Sequence, residues 1–170
     1  SKFYKSVDNG LTWTNTSNSS GLPNSGMNRG IIGVTNSNPN VVYVLFSAND
    51  DGFGGLYKSN DQGINFELQS DTPNILGWDV EGSDEGGQGW YDLALAISPT
   101  DEDIVFVGGV NCWKSTNGGL NWDINSHWYG AQEIEYAHAD QHMLRFNGNG
   151  ILFSGNDGGL YKSSNLGTNW

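Results

Sequence analysis

A chain of 170 residues with 7 basic and 19 acidic side chains carries a formal net charge of -12, which excludes phosphate-backbone binding built on Lys and Arg. One cysteine rules out an internal disulfide framework, and no run of 18 apolar residues is present to cross a membrane as a helix. Twenty-five glycines signal many turns and not disorder, because seven Trp, seven Tyr and seven Phe supply the apolar mass of a core.

In chain order, Lys2 to Lys5 and Leu11 to Thr14 read as the third and outermost strands of a four-stranded unit, joined by a turn. Ser17 to Asn28, rich in Asn, Ser, Gly and Pro, is a crossing loop, and the sequons at Asn15 and Asn18 matter only in a glycosylating host. Strands are expected over Gly30 to Thr35, Val41 to Phe46 and Leu56 to Lys58, with an outer strand through Leu68. The acidic, glycine-rich insertion Asn49 to Gly55 could hold calcium or another divalent cation, but it lacks the alternating ligands of a calcium loop and reads better as a solvated turn. No other cofactor signal is present.

Asp71 to Gly89 is a long connection containing Trp78, Asp79, Glu81, Asp84 and Glu85, a candidate lip for a cleft. Tyr91 to Ile97, Ile104 to Gly108 and Val110 to Lys114 form the next strands, with Cys112 an inert buried thiol. The loop His127 to Gly130 precedes the last strands, His138 to Phe146, Ile151 to Gly155 and Leu160 to Lys162.

Four copies of one ten-residue pattern punctuate these strands: Tyr4 to Trp13, Tyr57 to Phe66, Trp113 to Trp122 and Tyr161 to Trp170. Their serines fall at 6, 59, 115 and 163, steps of 53, 56 and 48 residues. A repeat of that period with β-type runs and no helical periodicity selects a β-propeller, all-β, with four-stranded blades. In each copy a serine, an Asp or Asn two residues on, and a glycine two further make a self-satisfied hairpin turn, closed by an aromatic that fills the wedge between blades. The positions are Ser6, Asp8, Gly10 and Trp13; Ser59, Asp61, Gly63 and Phe66; Ser115, Asn117, Gly119 and Trp122; Ser163, Asn165, Gly167 and Trp170. That Asn117 and Asn165 replace the acids argues for a structural role. Lys5, Lys58, Lys114 and Lys162 each precede the box serine and form a rim feature.

The chain thus divides into the end of a blade (1-16) and blades at 28-70, 89-126 and 137-170, the last lacking most of its outer strand. About three blades do not close a ring, so the remaining blades are expected outside this segment.

The S-x-D-x-G-x-x-W pattern resembles the Asp-box, or BNR repeat, of sialidases, xyloglucan-cleaving glycoside hydrolases and sortilin-type receptors. His138-Ala139-Asp140-Gln141-His142 followed by Gly155-Asn156-Asp157-Gly158-Gly159-Leu160-Tyr161-Lys162-Ser163 is similar to a stretch in sortilin/xyloglucanase-like propellers of secreted Bacteroidetes proteins. The resemblance implies an extracellular or cell-surface protein, of a group that often carries a type IX secretion domain. No signal-peptide pattern occurs in these residues, as expected also of a chain whose leader is removed or lies outside them.

In a propeller the first strand of each blade lines the central channel, which places Arg29, Asp92 and the Asp140 to His142 stretch at comparable positions. They make either a polar binding site near the axis or a hydrogen-bonded network around a water-filled channel. Trp90, Tyr91 and Trp128 are the aromatics suited to stack on a ligand such as a sugar ring, although Trp128 could equally plug the blade interface. His138, Asp140 and His142 alternate on an expected strand, so all three would share a face as candidate metal ligands. Four residues at about 3.3 Å each separate the two histidines by about 13 Å, too far for one tetrahedral zinc unless the strand is bulged.

Two functions follow. One is a secreted or surface module that binds a polysaccharide or a protein and needs no chemistry. The other is a glycoside hydrolase with paired carboxylates, for which Asp92 and Asp140 are the candidates. Sialidase activity is disfavoured, because its substrate carboxylate calls for an arginine cluster and only Arg29 and Arg145 occur here.

Overall fold

The computed structural model describes residues 2–17 and 20–170, so the sequon at Asn18 lies outside the described residues. Strands β1 (Tyr4–Lys5) and β2 (Thr14–Asn15) pair antiparallel. Then come three meandering antiparallel sheets, each in sequence order. The first holds β3 (Met27–Val34), β4 (Val42–Ala48), β5 (Phe53–Ser59) and β6 (Glu67–Ser70). The second holds β7 (Ala94–Ile97), β8 (Val105–Gly108), β9 (Cys112–Ser115) and β10 (Asp123–Ser126). The third holds β11 (Gln141–Phe146), β12 (Leu152–Asn156) and β13 (Gly159–Ser163). The innermost strand β7 packs between β3 and β11, so the sheets stand side by side as successive blades.

The middle blade is buried on both faces, and its alternation shows how. Leu95, Ile97, Val105, Val107 and Trp113 face the preceding blade, where they meet Tyr43, Leu45 and Leu56. Their neighbours in sequence, Ala94, Ala96, Phe106 and Cys112, face the following blade and pack on Leu144 and Leu152. A strand sends successive side chains to opposite faces, so each half of the alternation serves a different interface. Burial of Cys112 pushes its thiol up to about 12, which leaves it unreactive.

The four boxes share one hydrogen-bond pattern. Each serine hydroxyl donates to the Asp or Asn side-chain oxygen, at 2.7 Å for Ser6 and Ser59, 2.9 Å for Ser115 and 2.8 Å for Ser163. The same hydroxyl accepts the N–H of Gly10, Gly63, Gly119 or Gly167 at 2.8 to 2.9 Å. The Asp or Asn oxygen then accepts the N–H four residues on, at Thr12, Asn65, Asn121 and Asn169. These bonds need only an acceptor, so Asn serves as well as Asp. Where the group ionises, the donors hold it low: Thr12 and Ser6 bring Asp8 down to about 2, and Asn65 and Ser59 depress Asp61 further.

The last two boxes are also clasped to the blade before them. The hydroxyl of Ser70 donates to the Gly119 carbonyl at 2.6 Å and accepts the indole N–H of Trp122 at 2.9 Å. Asn125 repeats this one blade on, donating to Gly167 at 3.0 Å and accepting from Trp170 at 3.1 Å. The lysines before the serines reach forward: Lys58 pairs with Asp103 at 2.8 Å, and Lys114 donates to the Leu166 carbonyl at 2.9 Å. Trp122 is buried and Phe66 packs edge-on against Phe3, whereas Trp13 remains 62 % exposed.

Two expected strands start later than the sequence suggests. Residues Gln88 to Asp92 form a turn, with the Tyr91 and Asp92 N–H groups donating to the Gln88 carbonyl, so β7 begins at Ala94. His138 and Asp140 precede β11, because Asp140 takes a positive φ of 66° that no strand continues. Conversely, Phe53 to Gly55, expected in a solvated loop, open β5.

Replacing Ser115 with Ala strips the buried Gly119 N–H of its partner and is expected to cost about 1 to 3 kcal/mol in urea unfolding. Asn117→Asp keeps the acceptor and should shift stability by under about 0.5 kcal/mol.

Candidate functional site

The boxes close the hairpins between third and fourth strands. The turns between second and third strands, and the connections entering β7 and β11, lie at the opposite end of the blades. That end gathers polar and aromatic side chains from all three blades.

Arg29, on β3, sends its Nη1 to the carbonyls of Gly89, Trp90 and Tyr91 at 3.4, 3.3 and 3.2 Å. It thereby ties the turn of the second blade to the first. Within that turn Gln88 points its side-chain amide at two carboxylates, Asp140 at 2.7 Å and Asp92 at 3.3 Å. Asp92 is fully buried, and burial together with the neighbouring Asp140 charge pushes its carboxyl up to about 8. One Gln88 amide nitrogen thus brings the two carboxyls side by side, so that their like charges act on each other.

Beside this pair stands an exposed ring cluster. Tyr91 meets His142 edge to face at 4.8 Å, and Trp90 lies 5.4 Å from Tyr91. Asp157, in the turn between β12 and β13, accepts from the Tyr91 hydroxyl at 3.0 Å and pairs with His142 Nε2 at 2.7 Å. These donors hold the Asp157 carboxyl low, and the same contact pushes the Tyr91 phenol up. Trp90 is 62 % exposed, so its ring is offered to solvent while its backbone is held by Arg29.

The His138 to His142 stretch therefore folds as a set of separate tasks and not as one ligating face. His138 packs over Gly158, where a Cβ would come within 2.4 Å of the histidine. Asp140 joins Gln88, and the buried Gln141 donates to the His138 carbonyl at 2.6 Å while accepting from Ser154. His142 sits at a register shift between β11 and β12 and turns to Asp157. The shared face expected of His138, Asp140 and His142 is absent because the chain is not a strand there. Among the described residues no three His, Cys, Asp or Glu side chains cluster as metal ligands.

Trp128 belongs to a second aromatic group. Tyr129 meets both His127, at 4.2 Å, and Trp128, at 4.6 Å, edge to face. Buried His127 accepts the N–H groups of Tyr129 and Ala131 on Nδ1, and its burial lowers its pKa. Asn111 donates to the Trp78 carbonyl at 3.1 Å and accepts the Trp128 N–H at 3.4 Å, so both exposed indoles hang from one amide. The backbone N–H groups of Asp140 and Gln141 donate to the carbonyls of Val110 and Gly109, which sets the Gly109 to Asn111 turn beside the entry to β11.

A groove of about 770 Å³ runs along the inner strands and is lined by residues such as Val34, Ile97, Met143 and Phe146. Arg29, Asp92, Asp140 and His142 do not line it; they lie at the mouth end, Arg29 and His142 near the starts of β3 and β11, Asp92 and Asp140 on the connections entering β7 and β11. Gln88, Asp157, Asn111 and His127 were not singled out from the sequence. Asp157 had a signal, its place in the Asn156-Asp157-Gly158 turn; Gln88 had none.

Three solved structures resemble the chain. A GH74 enzyme of Niastella koreensis aligns at 23% identity and a TM-score of 0.51, over 81% of this chain and 21% of its own. An ancestral GH74 enzyme aligns at 20% and 0.57, over 98% of this chain and 20% of its own. YCF48, solved bound to D1 peptide, aligns at 10% and 0.57, over 100% of this chain and 47% of its own. The fold is that of a β-propeller. This chain is a fragment of it, spanning about a fifth of the length of the two GH74 structures. At these identities the likeness concerns the fold. No protein-family model and no curated protein sequence matches the chain.

Asp92 sets a pH dependence whose sign follows from its raised carboxyl. Between an unfolded pKa of about 3.9 and a folded one of about 8, the native propeller keeps a proton that the unfolded chain releases. In chelator-treated buffer stability should therefore fall as pH rises through that window, by at most about 1.4 kcal/mol per pH unit from this group. Asp92→Asn should remove that slope and be the more stable protein at pH 9, read from urea midpoints.

Proposed function

We propose that the propeller is a binding module for a polysaccharide, and that Trp90, Tyr91 and His142 form the platform on which a sugar ring stacks. The observation that carries this reading is the exposure of Trp90 and Tyr91 on a turn locked by Arg29 and Asp157. Rigid aromatic rings offer a wide apolar face at little entropic cost, and the adjacent carboxylates accept hydroxyl hydrogen bonds. Trp78, Trp128 and Tyr129 supply a second platform beyond the Gly109 to Asn111 turn. With Arg29 engaged by carbonyls and three acids nearby, the site suits a neutral glycan and not an acidic one. The resemblance of the boxes to Asp-box proteins of secreted Bacteroidetes is what suggests a surface or extracellular setting.

A second reading, glycoside hydrolysis, is favoured by one observation: burial pushes the Asp92 carboxyl up to about 8, into the range a general acid needs. Its closeness to Asp140 argues against the two as a pair, since glycosidase carboxyls stand about 5 Å or more apart with the substrate between them. Hydrolysis would then require a carboxylate of another blade facing Asp140.

Affinity electrophoresis and calorimetry against xyloglucan and other neutral glucans test the binding reading. Trp90→Ala should weaken binding at least about tenfold, and Tyr91→Phe, which loses only Asp157, by less. No retention of any glycan, or retention indifferent to Trp90, would sink it; reducing ends released by the wild type and lost in Asp140→Asn would establish hydrolysis instead.

A further inference from the structure

The carboxylate pair beneath the platform lacks a counter-charge. Among the described residues the ion pairs are Lys58 with Asp103 and His142 with Asp157, so no side-chain cation reaches Asp92 or Asp140. Arg29, the nearest guanidinium in the network, spends its Nη1 on the carbonyls of Gly89, Trp90 and Tyr91. Gln88 bridges the two acids through one amide nitrogen, at 2.7 Å from Asp140 and 3.3 Å from Asp92, but an amide carries no charge. Asp92 is 0% exposed, and its Oδ1 has no hydrogen-bond donor. A buried carboxylate oxygen without a donor, held against a second carboxylate, is costly unless a positive charge sits between them.

We propose that Asp92 and Asp140 bind a divalent cation of the calcium class, with Gln88 as the third protein ligand. The donor set consists of oxygens only, which a hard cation prefers and zinc does not. A half-turn of the Gln88 amide about its terminal torsion presents Oε1 in place of Nε2. Asp140 is partly exposed, so water can complete the six to eight oxygens that calcium takes. Calcium fits better than magnesium, which demands near-ideal octahedral geometry and keeps its water. The ion would join the second blade to the third, since Asp92 and Gln88 lead into β7 and Asp140 into β11. This site stands on its own chemistry and does not depend on the glycan reading. It is also distinct from the Asn49 to Gly55 loop, where Asp50 and Asp51 oxygens already accept from Gly52 and Asn28.

The full chain, stripped with a chelator and dialysed, should take up one calcium ion by calorimetry. Saturating calcium should raise its melting temperature by about 5 °C, and magnesium at the same concentration by much less. Asp140→Asn, at a partly exposed position, should weaken binding at least about tenfold and lose the thermal shift. Asp92→Asn should behave likewise, with its far-UV circular dichroism confirming that it folds. Asp50→Asn, in the Asn49 to Gly55 loop, should leave both readouts unchanged. Absence of heat and thermal shift at millimolar calcium overturns the proposal, as does binding that survives Asp140→Asn or disappears with Asp50→Asn.

Discussion

A serine hydroxyl that donates to a side chain and accepts a glycine N–H holds each outer hairpin of this propeller closed. The consequence reaches beyond the turn. Closing the hairpin orients the box glycine carbonyl and the indole of Trp122 toward Ser70, and those of Gly167 and Trp170 toward Asn125, one blade earlier. Local satisfaction of backbone groups and blade-to-blade docking are thus one device, repeated at the period of the sequence. The indole of Trp13 shows the converse: donating only within its own box, to Gly10, it stays largely exposed.

With the rim clasped, the inner strands β3, β7 and β11 come alongside one another, and their entering turns converge at the other end. There the design is different. The rim is made of bonds that each box repeats, whereas the mouth is made of bonds that occur once: Arg29 to three carbonyls, Gln88 to two carboxylates, Asp157 to a tyrosine and a histidine. Each joins residues of different blades or different turns, so the mouth is as rigid as the clasp makes it. The concentration of acids there, with the lone nearby guanidinium engaged by backbone, leaves a negative site lined by exposed rings.

The four boxes were legible because their bonds run between residues two to four apart, so chemistry and spacing coincide in the sequence. The strands β7, β8 and β9 were legible as short apolar runs, although neither their burial on both faces nor which residue faced which blade was. The candidate residues Arg29, Asp92, Asp140 and His142 were found by aligning blades, and the structure does gather them at one end. The expected alternation of His138, Asp140 and His142 failed for a physical reason: Asp140 takes a left-handed backbone that no local pattern in an Ala-Asp-Gln stretch announces. Gln88 and Asn111 were invisible, each a lone amide in a turn whose partners lie 52 and 33 positions away.

The sequence by itself determined the repeat, the hairpin turns, the all-β class and the acidic character, since these depend on bonds within ten residues and on composition. Only the tertiary structure decided that Asp92 is buried against Asp140, that Tyr91 and His142 share Asp157, and that Trp128 stands apart from Trp90. Those facts depend on how three blades are offset about their inner strands. That offset is set by side-chain packing between sheets, which no single stretch of the chain encodes.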